Sequence, residues 1–275
     1  VIVLSTADDY REVNLLYGLA ATSNTDLGIL TAGGNQSFSI YGKLQVDNGY
    51  FSTRESGGII TWDYAAGQLI INGGTVDAKQ FRAAGSDVGL ASYNQNGGKF
   101  ILRGRFKRTP TAYTSIANLK DFSSTTLNTT RDPSGLDGNL GTFNLNRAEN
   151  VFAMSDGTIS IYDVCGTGQN EAFQVFSDAA NNNVTGGTLE IIPTTGTATN
   201  ATTYKIETTA NLGNLTINRT GGAMPVDIVT NPLTILNSVT ITSGVLNTNN
   251  LDVSIGGNLT IASGATYNAG TNTTT

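Results

Sequence analysis

Apolar and polar residues alternate along most of this chain, and ten times the alternation starts from a glycine. Gly42, Gly58, Gly67, Gly74, Gly98, Gly141, Gly157, Gly187, Gly213 and Gly257 are each followed by apolar residues two and four positions on. A period of two belongs to a β-strand with one buried face, so Leu44 and Val46, Phe100 and Leu102, Ile159 and Ile161, and Leu189 and Ile191 are predicted to share one interior. The units themselves recur with a second period. Intervals of 24 to 26 residues separate Gly42 from Gly67, Gly74 from Gly98 and Gly187 from Gly213; values of 43 and 44 are near doubles, and steps of 7 and 9 fall between. A solenoid with coils of about 20 to 25 residues and two or three strands per coil produces all three classes. The predicted fold is therefore all-β, a right-handed parallel β-helix. Renewal of the apolar pattern in every coil argues against a row of sandwich domains, whose pattern renews about once per 100 residues.

Three regions follow from this reading. Residues 1–40 form an N-terminal cap or first coil. Within them Asp9 and Glu12 resemble a capping box ahead of Val13, Leu16, Tyr17 and Ala20 at helical spacing, which predicts a capping helix over 8–20; an irregular first coil fits the same residues. Residues 41–192 are β-helix with longer loop insertions, notably Thr109 to Asn139. Residues 193–275 are more regular coils rich in Asn and Thr, which supply 38 of the 95 residues from 181 onward. There Val239-Thr-Ile-Thr-Ser-Gly244 returns as Leu259-Thr-Ile-Ala-Ser-Gly264, offset by 20. Stacking coils about 4.8 Å apart predicts Ile, Leu and Val ladders inside, Thr and Asn ladders outside, and a rod of roughly 50 to 60 Å.

Composition narrows the function. The net charge of −6 and pI near 4.6 argue against nucleic acid as a partner, since phosphate binding draws on many Lys and Arg. The chain has no histidine, which removes Ser-His-Asp and Cys-His catalysis and the usual zinc sites. Its one cysteine, Cys165, allows no internal disulfide and reads as a small apolar side chain in a packed row. No apolar run approaches the roughly 20 residues that span a bilayer, so this part is expected not to be membrane-embedded. With Val1 first and no leader pattern, the chain reads as a mature or excised segment.

The phrases Asn96-Gly-Gly-Lys-Phe-Ile-Leu-Arg-Gly104, Phe152-Ala-Met-Ser-Asp-Gly-Thr-Ile-Ser-Ile161, Val184-Thr-Gly-Gly-Thr-Leu-Glu-Ile191 and Asn258-Leu-Thr-Ile-Ala-Ser-Gly264 resemble repeats of large secreted Bacteroidetes surface proteins of the adhesin type. The resemblance spans most of residues 40 to 265. It implies export by the type IX secretion system, contact with its outer-membrane translocon and associated carrier, a place outside the outer membrane, and a link to gliding motility. It also implies a C-terminal sorting domain, which is not recognisable in the stretch that closes on Thr271-Asn-Thr-Thr-Thr275.

Few residues suggest chemistry. The acids Asp156, Asp163, Glu171 and Asp178 are scattered, and Asp8-Asp9 stands outside the coils, so no carboxylate pair marks a glycosidase cleft and no catalytic residue is assigned. Asp132, Asp137 and Asn139 place two carboxylates and an amide oxygen in one tight loop, a weak calcium candidate that Asx turns explain equally well; no other cofactor is expected. Among Tyr41, Tyr50, Phe51, Trp62 and Tyr64, alternation turns Trp62 inward with Ile60, which favours a core role over a sugar platform. The Asn-x-Ser/Thr sequons at Asn35, Asn128, Asn183, Asn214 and Asn258 arise by chance in so Asn/Thr-rich a chain. The strongest local signal is Lys99 to Arg108, with five of the fifteen basic residues. Read as one strand, it sets Lys99, Arg103, Arg105 and Lys107 on the outer face as a basic stripe for an anionic polysaccharide or cell-surface glycan; a solvated face balanced by acids is the competing explanation. The function expected is a non-enzymatic, secreted, adhesin-like or stalk-like surface protein. The alternative is a β-helix that binds or degrades polysaccharide.

Overall fold

The structure, a computed structural model, describes the strand segments and corner residues 47, 72, 96 and 97 between residues 29 and 145, residue 148, and residues 150–161, 171–191, 203–219 and 225–275. Among these residues the protein is all-β, with 28 strands and one three-residue 3-10 turn, Ala179–Asn181. The candidate helix over 8–20 lies outside the described residues. The strands pair in parallel, in two sheets of ten, one of six and one of two.

In chain order the strands visit the first, second and third sheet in rotation. Ile29–Thr31, Phe38–Ile40 and Lys43–Val46 open the three sheets, and Tyr50–Ser52, Ile59–Trp62 and Gln68–Ile71 pair beside them in the same order. The rotation holds to Asn182–Val184, the last strand of the six-stranded sheet. Beyond it the two long sheets run on to Leu259–Ile261 and Thr266–Asn268. Their companion position passes to Leu212, a single bridge to Ile235, then to Leu233–Ile235 and Val253–Ile255, and then to Thr274, which bridges Val253. Asn182–Val184 and Leu212 have no ladder between them among the described residues. The two ladders beside this gap are long: Glu171–Val175 against Tyr204–Thr208, and Thr188–Ile191 against Asn214–Asn218, have four register pairs each.

Register keeps like over like. Ile159, Leu189, Leu215, Val239 and Leu259 stand in one row, and Ile161, Ile191, Ile217, Ile241 and Ile261 in the next. Every rung down to Val239 and Ile241 is buried, whereas Leu259 and Ile261, on the last strand of the sheet, are 37% and 44% exposed. In the second sheet Phe143, Phe173, Ile206 and Ile228 share a row. The Phe143 and Phe173 rings stack at 5.2 Å, and Phe152 meets them edge-on at 6.0 and 5.9 Å. Stacked and T-shaped pairs suit the charge distribution of aromatic rings, so this cluster adds to what area burial supplies. One polar pair sits among the inward residues: Tyr93 donates its hydroxyl hydrogen to Gln95 Oε1, and both are fully buried. The bond gives the buried phenol hydroxyl an acceptor, which spares it the cost of a lone buried donor.

Segments between strands approach each other closely at glycines. A Cβ built on Gly213 would lie 2.3 Å from the Gly186 carbonyl oxygen, so only glycine lets these backbones meet. Gly213→Ala should therefore lower unfolding free energy by about 1 to 3 kcal/mol in urea titrations. Burial makes a second comparison within one row. Ile241→Ala should cost about 2 to 5 kcal/mol, the range for truncating a buried isoleucine. Ile261→Ala, half-exposed at the end of the same row, should cost about 1 kcal/mol or less. Equal losses would contradict the stacking order.

Candidate functional site

The outer faces and corners carry most of the polar side chains, and these also form rows. In the second sheet Ser39, Thr61, Arg82, Lys107, Asn144, Gln174 and Glu207 occupy one register line. Its later half is a hydrogen-bonded chain. Asn144 Nδ2 donates to Gln174 Oε1, Gln174 Nε2 donates to Glu207 Oε2 at 2.8 Å, and Thr230 Oγ1 donates to Glu207 Oε1 at 2.6 Å. Asn144 and Gln174 are buried although they alternate with the inward Phe143, Leu145, Phe173 and Val175. A second line runs Glu171, Lys205, Asp227, Asn247, Asn268. In it Asn268 Nδ2 donates to Asn247 Oδ1 and Asn247 Nδ2 donates to Asp227 Oδ1, both at 2.7 Å.

A third ladder turns a corner next to the third sheet. Asn96 Nδ2 donates to Asn72 Oδ1 at 2.8 Å, and Asn72 Nδ2 donates to Asp47 Oδ1 at 2.6 Å. Gln45 Nε2 reaches both oxygens of the same carboxylate at 2.9 and 3.0 Å. All three ladders have one chemical rule. An amide both donates and accepts, so a row of amides can continue indefinitely, while an ionised carboxylate only accepts and brings the row to an end. Glu207, Asp227 and Asp47 serve as those ends.

The candidates from the sequence are distributed as follows. Lys99 lies in the strand Lys99–Leu102 of the first sheet, in register with Thr75, and Lys107 lies in Phe106–Arg108 of the second sheet. Arg103 and Arg105 lie outside the described residues, so the stripe is seen only at its two ends, which belong to different sheets. Lys107 stands between Arg82 and Asn144. Lys107 and Arg82 are thus register partners on adjacent strands. Sequence reading missed Arg82, although its offset of 25 from Lys107 matches the 24 to 26 residue interval of the glycine units. The same offsets, 25 and 24 for Asp47, Asn72 and Asn96, and 20 and 21 for Asp227, Asn247 and Asn268, were the available signal for the ladders.

Asp132, Asp137, Asn139, Asp163 and Cys165 lie outside the described residues, as do Tyr41 and Tyr64. Trp62 closes the strand Ile59–Trp62, and Phe51 is fully buried. Asp156 is exposed and accepts from the Gly157 backbone at 2.7 Å, and Asp178 is exposed beside the 3-10 turn. Among the described residues no three of His, Cys, Asp and Glu come together to hold a metal. A cavity of about 10 Å³ between Phe152, Met154, Ile159, Phe173 and Leu189 is apolar and has room for no ligand. Among the described residues no helix is long and apolar enough to cross a membrane. The Arg219 guanidinium, just past the strand Asn214–Asn218, lies 3.8 Å over the buried Tyr204 ring at the head of the preceding strand Tyr204–Thr208, a cation–π contact between the two long sheets. No known family model matches the chain, and no match was found among curated proteins or solved structures.

Removing the middle of a ladder tests its structural role. Gln174→Leu keeps the volume but leaves the buried Asn144 amide without its acceptor. Urea unfolding should show a loss of about 1 to 3 kcal/mol, the cost of an unsatisfied buried polar group. A neutral substitution would mean that the row carries no energy.

Proposed function

We propose that the chain is a right-handed parallel β-helix serving as a non-enzymatic adhesive rod or stalk on a bacterial surface. The rotation of strands through three sheets carries this reading, because each coil then pairs only with its neighbours and the body grows in one dimension. Parallel crossovers are right-handed almost without exception, which supplies the hand. Ten coils, one per strand of each long sheet, give a rod of about 45 Å. Acids that end amide ladders have a structural occupation, which supports a non-catalytic surface.

The export route rests on the resemblance of the repeats. It brings with it the type IX translocon and carrier as partners during secretion, a location outside the outer membrane, and a part in gliding. For the ligand, the juxtaposed Arg82 and Lys107 support an anionic polysaccharide or cell-surface glycan running along the coil axis, with Lys99, Arg103 and Arg105 nearby in sequence. On a protein of net charge −6, a polyanion crossing these two strands would meet two basic positions in register.

Adhesion to immobilised alginate, chondroitin sulfate and lipopolysaccharide at low salt tests the binding claim. Replacing Arg103, Arg105 and Lys107 with Gln should weaken adhesion about tenfold or more, while stability moves by less than about 0.5 kcal/mol. Unchanged adhesion overturns the anionic ligand. Turnover of any of these polymers that disappears when one acid is replaced by Ala would establish a degrading enzyme instead. Surface display that persists after deletion of the type IX translocon would remove the export route.

A further inference from the structure

We propose that Asn96 is a site of spontaneous deamidation, and that the Asp47–Asn72–Asn96 ladder dictates the order in which the modification spreads, Asn96 first and Asn72 second. Both asparagines precede glycine, as Asn72-Gly73 and Asn96-Gly97, and both are exposed at stacked corners. Glycine leaves its own backbone nitrogen unshielded, which makes Asn-Gly the most reactive pair for this chemistry. At Gly97 packing imposes the pair: a Cβ there would lie 2.5 Å from the Asn72 carbonyl oxygen. The close stacking of coils thus obliges the chain to keep a labile dipeptide where it is wet.

In the reaction the Gly97 nitrogen attacks Asn96 Cγ and forms a new N–C bond. The Cγ–Nδ2 bond breaks, the nitrogen's proton leaves with the departing amide, and ammonia is released. Water then opens the five-membered imide at either carbonyl, giving aspartate or isoaspartate. For this the side-chain amide must turn toward the following nitrogen, so hydrogen bonds that hold the amide slow the step.

The two amides are held unequally. Asn72 is fixed at both ends: its Nδ2, the atom that must leave, donates to Asp47 at 2.6 Å, and its Oδ1 accepts from Asn96 at 2.8 Å. Asn96 is held through its Nδ2 alone among these ladder bonds, and the ladder ends there among the described residues. Conversion of Asn96 removes the donor to Asn72 and sets a carboxylate against the Asn72 carbonyl oxygen, so the second amide is loosened by the first reaction. Isoaspartate also adds a backbone methylene at a corner where Asn96 and Gly97 both donate to the Ile71 carbonyl, at 2.8 and 3.3 Å.

Incubation of the native 275-residue protein in mildly alkaline buffer, followed by peptide mass mapping over time, tests this. Asn96 should convert about fivefold faster than Asn72, the factor of one net hydrogen bond. In urea, where the ladder is gone, the two rates should be equal. Asn96→Asp, which reproduces the product, should speed conversion of Asn72, and Asp47→Ala should do so independently. Asn72 converting first or at the same rate in the native protein, or the same inequality persisting in urea, would overturn the proposal.

Discussion

Among the described residues each strand pairs in parallel with the strands that precede and follow it in its own sheet, with register shifts only at Glu171/Phe173 and Ile217/Asn218, and this fixes the neighbours of the side chains along it. A residue stands about 4.8 Å from its counterparts above and below, whatever its own preference. Inside, that requirement is met by rows of Ile, Leu, Val and Phe such as Ile161, Ile191, Ile217 and Ile241. Outside and at the corners, amides and hydroxyls meet it best, because they can donate to one neighbour and accept from the other. The richness in Asn and Thr is thus a consequence of stacking, as is the scarcity of charge.

Charges fit such rows only in particular ways. A carboxylate can end an amide ladder, as Asp47, Asp227 and Glu207 do. Opposite charges can sit in adjacent rungs, as Lys205 and Asp227 do. Like charges in adjacent rungs repel. Arg82 and Lys107, register partners on adjacent strands, are two positions of like charge in such a row.

Much of the fold was legible because two periods were superposed in the sequence. The Gly-x-apolar-x-apolar units at Gly98, Gly187 and Gly257 correspond to Lys99–Leu102, Thr188–Ile191 and Leu259–Ile261, parallel strands of one sheet. Alternation alone gave no sign of where a strand stops and the next sheet begins, which is why Lys99 to Arg108 read as one stripe although its ends lie in two sheets. Nor did it reveal that Asn144 and Gln174 are buried on the face opposite Phe143 and Phe173, since a polar residue at an outward position is normally wet. Ladder partners lie 20 to 33 residues apart, and only reading the polar residues at the coil period brings them together.

The interval between Asn182–Val184 and Leu212 has no ladder among the described residues, yet single bonds tie the chain together on both flanks of it. Thr209 Oγ1 donates to the Ser177 carbonyl at 2.8 Å on one flank, and the Asn214 backbone N–H donates to the Gly187 carbonyl at 2.8 Å on the other, where Gly213 lies against Gly186. With the ladders from Glu171–Val175 and Thr188–Ile191 on either side, the pairing of the two long sheets passes this level without a break. A missing strand pair therefore costs this level a few backbone bonds, and the corners recover part of them.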